Sequence, residues 1–306
     1  TIPGYATAIT YHPNLLVKDL THANGVKDTQ GNDPNAMHRP SVITAAKGVQ
    51  TLWTTGAFSY DGVGNLKSIG GWNFEYDMVS RLTKAAFDLA PVGAAVNPKT
   101  QSFTYDAFGN LQEIVGDAGR LTTTNSNTNR LATAGSQYDA SGNLTKWSTS
   151  AIYSWDALDK MWRMKNGGEE WYYFYNADGE RVWSYRFGGT HSRWTPRDPS
   201  GMVLREFEVL NGTWQISNEY IYRGSQLLAG ETLSGTRHFH LDHLGTPRLV
   251  TDGAGNQVAY HVYYPYGEEA TVFNQDTQRM KFTGHERDLA SLAGAGDDLD
   301  YMHARF

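Results

Sequence analysis

Three histidines, His238, His240 and His243, stand close together around Asp242 in the run His-Phe-His-Leu-Asp-His. Imidazole and carboxylate groups are ligands for zinc and similar metals, and alternate residues of a strand share one face. The spacing therefore admits a metal site. Gly245 follows at once, however, and a turn there would leave the histidines packed and hydrogen-bonded at the end of a strand. We favour packing and hydrogen bonding at the end of a strand as the role of these histidines, so the sequence predicts no metal and no cofactor.

A second short motif, residues 198–201, reads Asp-Pro-Ser-Gly and resembles an Asp-Pro-x-Gly site of chain cleavage. Proline in the second and glycine in the fourth of four positions are also typical of a type I turn. The turn is therefore the preferred interpretation.

Paired carboxylates could act as glycosidase acid and base, and Glu169-Glu170 and Asp297-Asp298 are such pairs. Glycoside hydrolysis needs one pair held at a set separation. Most aspartates here recur instead at equivalent places of a repeated motif, which is the mark of a structural role. The sequence has no nucleophile elbow, P-loop or zinc-protease motif, and so predicts no enzyme.

The repeated motif is Tyr-Asp-x-x-Gly-Asn, and degenerate copies lie between the clear ones. Its aspartate can accept hydrogen bonds from turn N–H groups, and glycine and asparagine tolerate positive φ. Aromatic and β-branched residues alternate on both sides, which predicts a β-hairpin stacked many times. The three clear copies comprise Tyr60, Asp61, Gly64, Asn65, Tyr105, Asp106, Gly109, Asn110, Tyr138, Asp139, Gly142 and Asn143.

Composition supports an all-β protein made of repeated β-hairpins. Of 306 residues only 19% are charged, 13% are aromatic and 32 are glycine. The net charge of -6 argues against nucleic acid as a partner, because phosphate binding needs clustered Lys and Arg. No cysteine is present, and no apolar run approaches the ~20 residues of a membrane span.

The aromatic side chains leave two interpretations open. Nine Trp and 18 Tyr could stack on sugars, or could cover a thin sheet whose two faces are both half wet. The first interpretation keeps a cell-surface module for carbohydrate binding or adhesion as the alternative function.

The repeated units resemble the YD repeats of RHS proteins, which also occur in the C component of bacterial insecticidal toxin complexes and in teneurins. Segments 240–248, 263–268, 281–288 and 299–306 match, in order, the motifs of the RHS repeat-associated core. The matching positions include Asp242, His243, Gly245, Pro247, Arg248, Tyr264, Pro265, Gly267, Gly284, Glu286, Arg287, Asp288, Tyr301 and Arg305.

The resemblance implies a β-ribbon that spirals into a hollow shell around a C-terminal toxin or other polypeptide. It divides the chain into a YD-repeat ribbon, 1–235, and a core segment, 236–306, that is continuous with the shell and stops before any cleavage motif or cargo. The implied function is that of a non-enzymatic shell segment. The implied partner is the chain's own C-terminal cargo, with glycans for the alternative, and the implied location is the outside or surface of a bacterium. We expect the chain to be a piece of a longer polypeptide.

Overall fold

The computed structural model describes residues 1–35, 37–88, 97–133, 135–147, 151–189, 191–210, 212–271, 276, 278–288 and 300–301. Within these ranges the secondary structure consists of antiparallel strands and one 3₁₀ turn, Phe282–Gly284, so the all-β prediction is confirmed. The described residues include no helix that is long and apolar enough to cross a membrane.

The first two sheets are meanders in which each strand pairs with its neighbour along the chain. The first contains β1 Ala6–Tyr11, β2 Val17–His22, β3 Val26–Asn32, β4 Pro40–Lys47 and β5 Gln50–Thr54. The second contains β6 Phe58–Tyr60, β7 Leu66–Ile69, β8 Trp72–Tyr76, β9 Leu82–Asp88, β10 Pro98–Tyr105, β11 Leu111–Gly116 and β12 Arg120–Leu121. A small hairpin follows, β13 Thr124–Asn125 with β14 Arg130–Leu131.

The third sheet continues the meander through thirteen strands and crosses residue 235 without a break. Its strands are β15 Gln137–Tyr138, β16 Leu144–Trp147, β17 Ala151–Trp155, β18 Met161–Asn166, β19 Glu169–Tyr175, β20 Arg181–Arg186, β21 Ser192–Trp194, β22 Arg205–Leu210, β23 Thr213–Arg223, β24 Gln226–Thr232, β25 Gly235–Leu241, β26 Pro247–Asp252 and β27 Gln257–Tyr260. The last pair is β28 Glu286–Arg287 with β29 Asp300–Tyr301.

Each repeated motif forms the turn between two strands. In the clearest copy, Oδ1 of Asp106 accepts hydrogen bonds from the backbone N–H of Phe108 and Asn110, both at 2.9 Å. Oδ2 accepts from the Asn110 amide at 2.7 Å, and Gly109 has φ 89°. The same bond to the backbone N–H four residues later is made by Asp61, Asp77, Asp139, Asp156, Asn176, Asp198, Asp242 and Asp252.

A tyrosine that directly precedes the turn residue ties one repeat to the preceding one in three copies. The Tyr76 hydroxyl donates to the Leu66 carbonyl at 2.9 Å, and the Tyr105 hydroxyl donates to the Leu82 carbonyl at 2.7 Å. Tyr175 does the same to Met161 at 2.6 Å. In each case the acceptor lies five residues after the aspartate of the preceding turn. The tyrosine of the motif is therefore an inter-repeat link as well as an apolar ring.

The meander curls back on itself, because its late strands pack on its early ones. Leu249 of β26 is buried among Val26, Ile43, Trp53 and Phe58 of the first two sheets. Leu228 and Ala229 of β24 contact Ala6 and Leu20, and Val262 packs against Phe87 and Phe103. Those pairs belong to two further clusters. The fold thus brings strands that are more than 150 positions apart in the chain into shared hydrophobic clusters.

Candidate functional site

The segment that carries the most unusual environment is residues 278–288 with 300–301, here called the terminal segment. Five of its charged side chains are buried, although Lys, Arg, Glu and Asp are rarely buried unless paired. They are Arg279, Lys281, Glu286, Arg287 and Asp288. What these charges contact decides how the terminal segment attaches to the strands.

Asp288 lies between two guanidinium groups. Arg181 at the start of β20 donates to both of its carboxylate oxygens, with 2.9 Å between Nη2 and Oδ1. Arg279 donates from Nη2 to Oδ1 at 2.6 Å. Two donors from one arginine in a fork match the two oxygens of one carboxylate, which fixes orientation as well as distance.

Two further carboxylates complete the network. Arg279 reaches Oε1 of Glu206 on β22 at 3.1 Å, and Asn218 donates to Oε2 of the same carboxylate at 2.8 Å. Nη2 of Arg197 lies 2.5 Å from Oε1 of Glu286. Three guanidinium groups therefore face three carboxylates, so the buried charges balance.

Tyr301 joins the backbone of the terminal segment to this network. Its strand pairs antiparallel with β28, opposite Glu286. The Tyr301 hydroxyl accepts the N–H of Arg181 at 2.9 Å and donates to Glu180 at 3.1 Å. The Arg181 guanidinium lies 4.4 Å from the centre of the ring, which is only 1% exposed. The strand Asp300–Tyr301 thus pairs with a strand of the same chain.

The network shifts its own ionisation toward the charged forms. Burial alone would raise the pKa of Asp288, but Arg181 and Arg279 outweigh it and hold that pKa below its usual range. Burial would also raise the pKa of Glu206, but nearby cations, chiefly Arg279, lower it below its usual range. Both carboxylates are charged at neutral pH, which the ion pairs require.

A second polar cluster fixes the next part of the terminal segment. His261 lies between Glu269, at 2.6 Å, and Asp276, at 3.3 Å. Lys281 pairs with Asp276 at 2.8 Å. Burial opposes the charge on Asp276, but the hydrogen bond from His261 and the charge of Lys281 lower its pKa to about 2.

Most of the residues predicted to belong to the core motifs lie in turns near the two polar clusters described above. Asp242 forms a repeat-type turn with Gly245 at φ 80°, and it pairs with Arg248 at 3.2 Å. Gly267 and Gly284 also have positive φ, at 98° and 75°. Tyr264 packs edge-on against Phe87 of β9. Pro247 begins β26, Pro265 lies in the turn after Tyr264, and Arg305 lies outside the described residues.

The three predicted histidines do not stay together. His238 and His240 lie in β25 and face His22, whose Nδ1 is 3.2 Å from Nδ1 of His238. His243 is a residue of the Asp242 turn and packs edge-on against Phe58. The three candidates separate because Asp242-x-x-Gly245 is itself a repeat turn, and His243 is a residue of that turn rather than of the strand. The Asp-x-x-Gly spacing is the feature of the sequence that predicts this turn.

Sequence reasoning missed Arg181, Arg197, Glu206 and Arg279. Arginine and glutamate usually lie on the surface. The partners of Arg181, Arg197 and Glu206 in the terminal segment are 73 to 107 positions away. The only signal was indirect, since residues 281–288 match a family motif whose partners the motif does not name.

A cavity of about 470 Å³ lies between β5–β9 and residues 242–265. Its walls are aromatic, with Trp53, Trp72 and Tyr76 among them. Its two carboxylates, Asp88 and Asp242, both accept backbone N–H groups, at 2.6 Å and 2.9 Å. They are therefore held as structural acceptors, and the cavity offers no free pair for acid–base chemistry.

Comparison with known proteins begins with sequence. No protein-family model matches the chain. Teneurin-1 of Gallus gallus is 26% identical over 225 residues, which cover 71% of this chain and 8% of that protein.

Several solved structures have a similar fold over nearly the whole chain. The Tc holotoxin pore of Photorhabdus luminescens, with a substituted TccC3, superposes with a TM-score of 0.77 over 94% of this chain. The crystal structure of TcdB2-TccC3 gives 0.75 over 95%, and that without the hypervariable C-terminal region gives 0.73 over 94%; identity is 18% in all three. The chain has the RHS/YD-repeat shell fold.

The RHS/YD-repeat resemblance inferred from the motifs is therefore confirmed. The chain spans 17% to 18% of the length of those toxin-complex chains. The similarity persists when the hypervariable region is absent, so it rests on the ribbon itself.

Proposed function

We propose that this chain is a non-enzymatic wall segment of an RHS-repeat shell. Its terminal segment holds neighbouring turns of the wall together, and the shell encloses a polypeptide that follows the chain. The observation that carries the proposal is the balanced, buried network that joins Arg279, Glu286 and Asp288 to Arg181, Arg197 and Glu206. A segment fixed in this way closes the ribbon on itself.

The structural role is supported by what the carboxylates do. The repeat aspartates accept backbone N–H groups in turns, and the buried ones pair with arginines. A catalytic carboxylate has to contact a reacting group instead. We place the protein outside or on the surface of a bacterium, as its resemblance to toxin-complex C components implies.

The carbohydrate alternative depends on exposed aromatic faces, and the widest exposed aromatic stripe does not offer them. Phe174 and Trp183 stack at 4.9 Å, and Tyr172 and Tyr185 stack at 5.0 Å, on the sheet face opposite Tyr173, whose ring lies 5.0 Å from the Arg181 guanidinium. In each pair one face of each ring is covered by its neighbour and is not free to stack on a sugar. We therefore propose no glycan site there.

The proposal can be tested with a labelled, unstructured polypeptide fused after Phe306. We expect protease to digest it at least several-fold more slowly than the same polypeptide free in solution. Arg279→Met, which breaks the network, should abolish the protection. Arg205→Met serves as the matched control, because its partner Glu219 lies at the surface.

Equal digestion rates for the fused and the free polypeptide would contradict encapsulation by this chain. Protection that survives Arg279→Met would show that the terminal segment does not close the wall.

A further inference from the structure

We propose that His22, Asp28 and His240 form a binding site for a divalent transition metal, with zinc as the ion that suits the ligands. The three residues offer two imidazole nitrogens and a carboxylate, all within 4.8 Å of one another. Two histidines and one carboxylate are an established donor set for such metals. The inference goes beyond the wall function and does not depend on it.

The geometry around Asp28 places its two oxygens against two different rings. Oδ1 lies 2.6 Å from Nδ1 of His240, and Oδ2 lies 2.9 Å from Nε2 of His22. A tetrahedral zinc site with bonds of ~2.1 Å separates its donor atoms by about 3.4 Å. A zinc ion would therefore enter between the carboxylate and the rings, with a small outward movement of the carboxylate.

The far nitrogen of each ring already has a partner, as metal-bound histidines require. Nε2 of His240 lies 3.0 Å from the Thr251 hydroxyl, and Nδ1 of His22 lies 3.2 Å from Nδ1 of His238. If both far nitrogens donate, the near nitrogens present lone pairs toward Asp28, and a cation must lie between them. His238 then accepts from His22 and orients its ring.

The same atoms also satisfy one another without a metal. In that state both rings donate to Asp28, while His238 and Thr251 donate to the far nitrogens. The two states differ only in which nitrogen of each ring carries the hydrogen. The hydrogen bonds therefore allow the cluster to exist either without a metal, with both rings donating to Asp28, or with a metal bound between the rings and Asp28. Neither state requires the rings to move.

The charged groups around Asp28 favour the binding of a cation. Among the described residues no Lys or Arg lies within ion-pair distance of Asp28, and its ion-pair partners are the two histidines. With neutral rings the buried cluster would carry one uncompensated negative charge, which a divalent metal neutralises.

An ion can reach the cluster. The rings of His22 and His240 are completely buried, but Asp28 keeps 17% of its side-chain surface. Asp28 also lines a cavity of about 70 Å³ between the first sheet and β24–β25. The carboxylate thus forms the accessible side of the site.

The position of the site gives it a structural consequence. Asp28 and His22 belong to the first sheet, and His240 lies 212 positions further along, in β25. A metal bound here would join an early turn of the ribbon to a late one and would stabilise the curled form, because the unfolded chain has no preformed site.

The test uses the whole chain after dialysis against a chelator, with zinc chloride as the probe. Isothermal titration should show one zinc per chain, and the melting temperature should rise with zinc and fall again on adding chelator. Cobalt in place of zinc should give visible absorption bands from coordination by nitrogen and oxygen, since the chain contains no cysteine.

The variants His240→Gln and Asp28→Asn should each weaken zinc binding at least 100-fold and abolish the cobalt bands. His243→Gln is the matched control, because it removes a histidine of the same sequence cluster that lies outside the site. It should bind zinc as the unmodified chain does.

Two outcomes would overturn the proposal. The first is an unmodified chain that takes up no stoichiometric zinc, which would leave the hydrogen-bonded cluster as the full description. The second is equal loss of binding in His243→Gln. If a variant failed to fold, the titration and cobalt spectrum of the unmodified chain would still decide.

Discussion

Arg181 and Asp288, 107 positions apart in the chain, form a two-pronged ion pair in the protein interior. The Arg181 guanidinium also lies over the ring of Tyr301, so the arginine contacts both strands of the terminal segment. Apolar burial alone would hold that segment without fixing its orientation. The forked pair fixes it, since only one placement of Asp288 lets both oxygens accept.

Breaking this network should be costly. Arg279→Met leaves Glu206 and Asp288 buried with one partner fewer, and we expect a loss of about 3–5 kcal/mol in the free energy of unfolding. Urea unfolding followed by tryptophan fluorescence measures it. Arg205→Met, at a pair half exposed to solvent, should cost below ~1 kcal/mol. Similar losses in the two variants would show that the buried network is not structurally important.

The network also predicts how stability depends on acid. The folded-state pKa values of Asp288 and Glu206 are lowered, so their contribution is present above the unfolded values of about 4 and is lost as pH falls through the folded ones. Stability should therefore decrease between pH 5 and about pH 3. Asp288→Asn should be less stable at pH 5 and show a shallower decrease. A parallel decrease in both proteins would contradict the assignment.

The inter-repeat link by tyrosine hydroxyls can be measured singly. Tyr175→Phe removes the bond to the Met161 carbonyl and should cost about 1 kcal/mol. Tyr185→Phe is the control in the next strand, because its hydroxyl bonds to no other described residue, and it should be near neutral. Chemical denaturation of the two variants compares them directly. A loss in Tyr185→Phe as large as in Tyr175→Phe would refute the link.

The turn between β6 and β7 contains two glycines with different demands. Gly64 has φ 96°, whereas Gly62 has no positive φ, and a Cβ at either would meet open space. Gly64→Val should therefore cost roughly 1–3 kcal/mol through backbone strain, and Gly62→Val well under that. Thermal melts in parallel would show it. Equal melting temperatures would mean that the positive φ carries no strain.

Removal of β29 should loosen the terminal segment. A chain that ends at residue 298 lacks Tyr301, so β28 loses its strand partner and Arg181 loses the hydroxyl that accepts its N–H. We expect a lower melting temperature with the mass of a single chain in light scattering. An unchanged melting temperature would show that these residues contribute nothing to closure.

Sequence predicted the parts of this fold whose causes are local. Asp106, Gly109 and Asn110 specify a turn within five residues, and period-two alternation specifies the strands on either side. The acceptor of each tyrosine hydroxyl could not be predicted, because it depends on the register between neighbouring repeats. That register includes a bulge at the tyrosine itself, as between Thr104 and Tyr105.

The parts that sequence could not predict are the contacts across the curl. Nothing near His240 indicates that His22 and Asp28 will face it, since the approach depends on how far the ribbon bends over 200 residues. Glu286 and Asp288 came from a motif resemblance that says nothing of their partners. The presence of a charged residue in the sequence does not predict whether the fold will place an oppositely charged residue beside it.

The neighbour-to-neighbour pairing of the strands has a consequence for the order of assembly during synthesis. Each strand of the meander needs only the one made just before it, so the ribbon can form progressively as the chain leaves the ribosome. The partners of Arg181, Arg197 and Glu206 are translated 73 to 107 residues later. Until residues 278–288 have left the ribosome, Arg181, Arg197 and Glu206 therefore lack these partners, and the buried network completes only after most of the strands have formed.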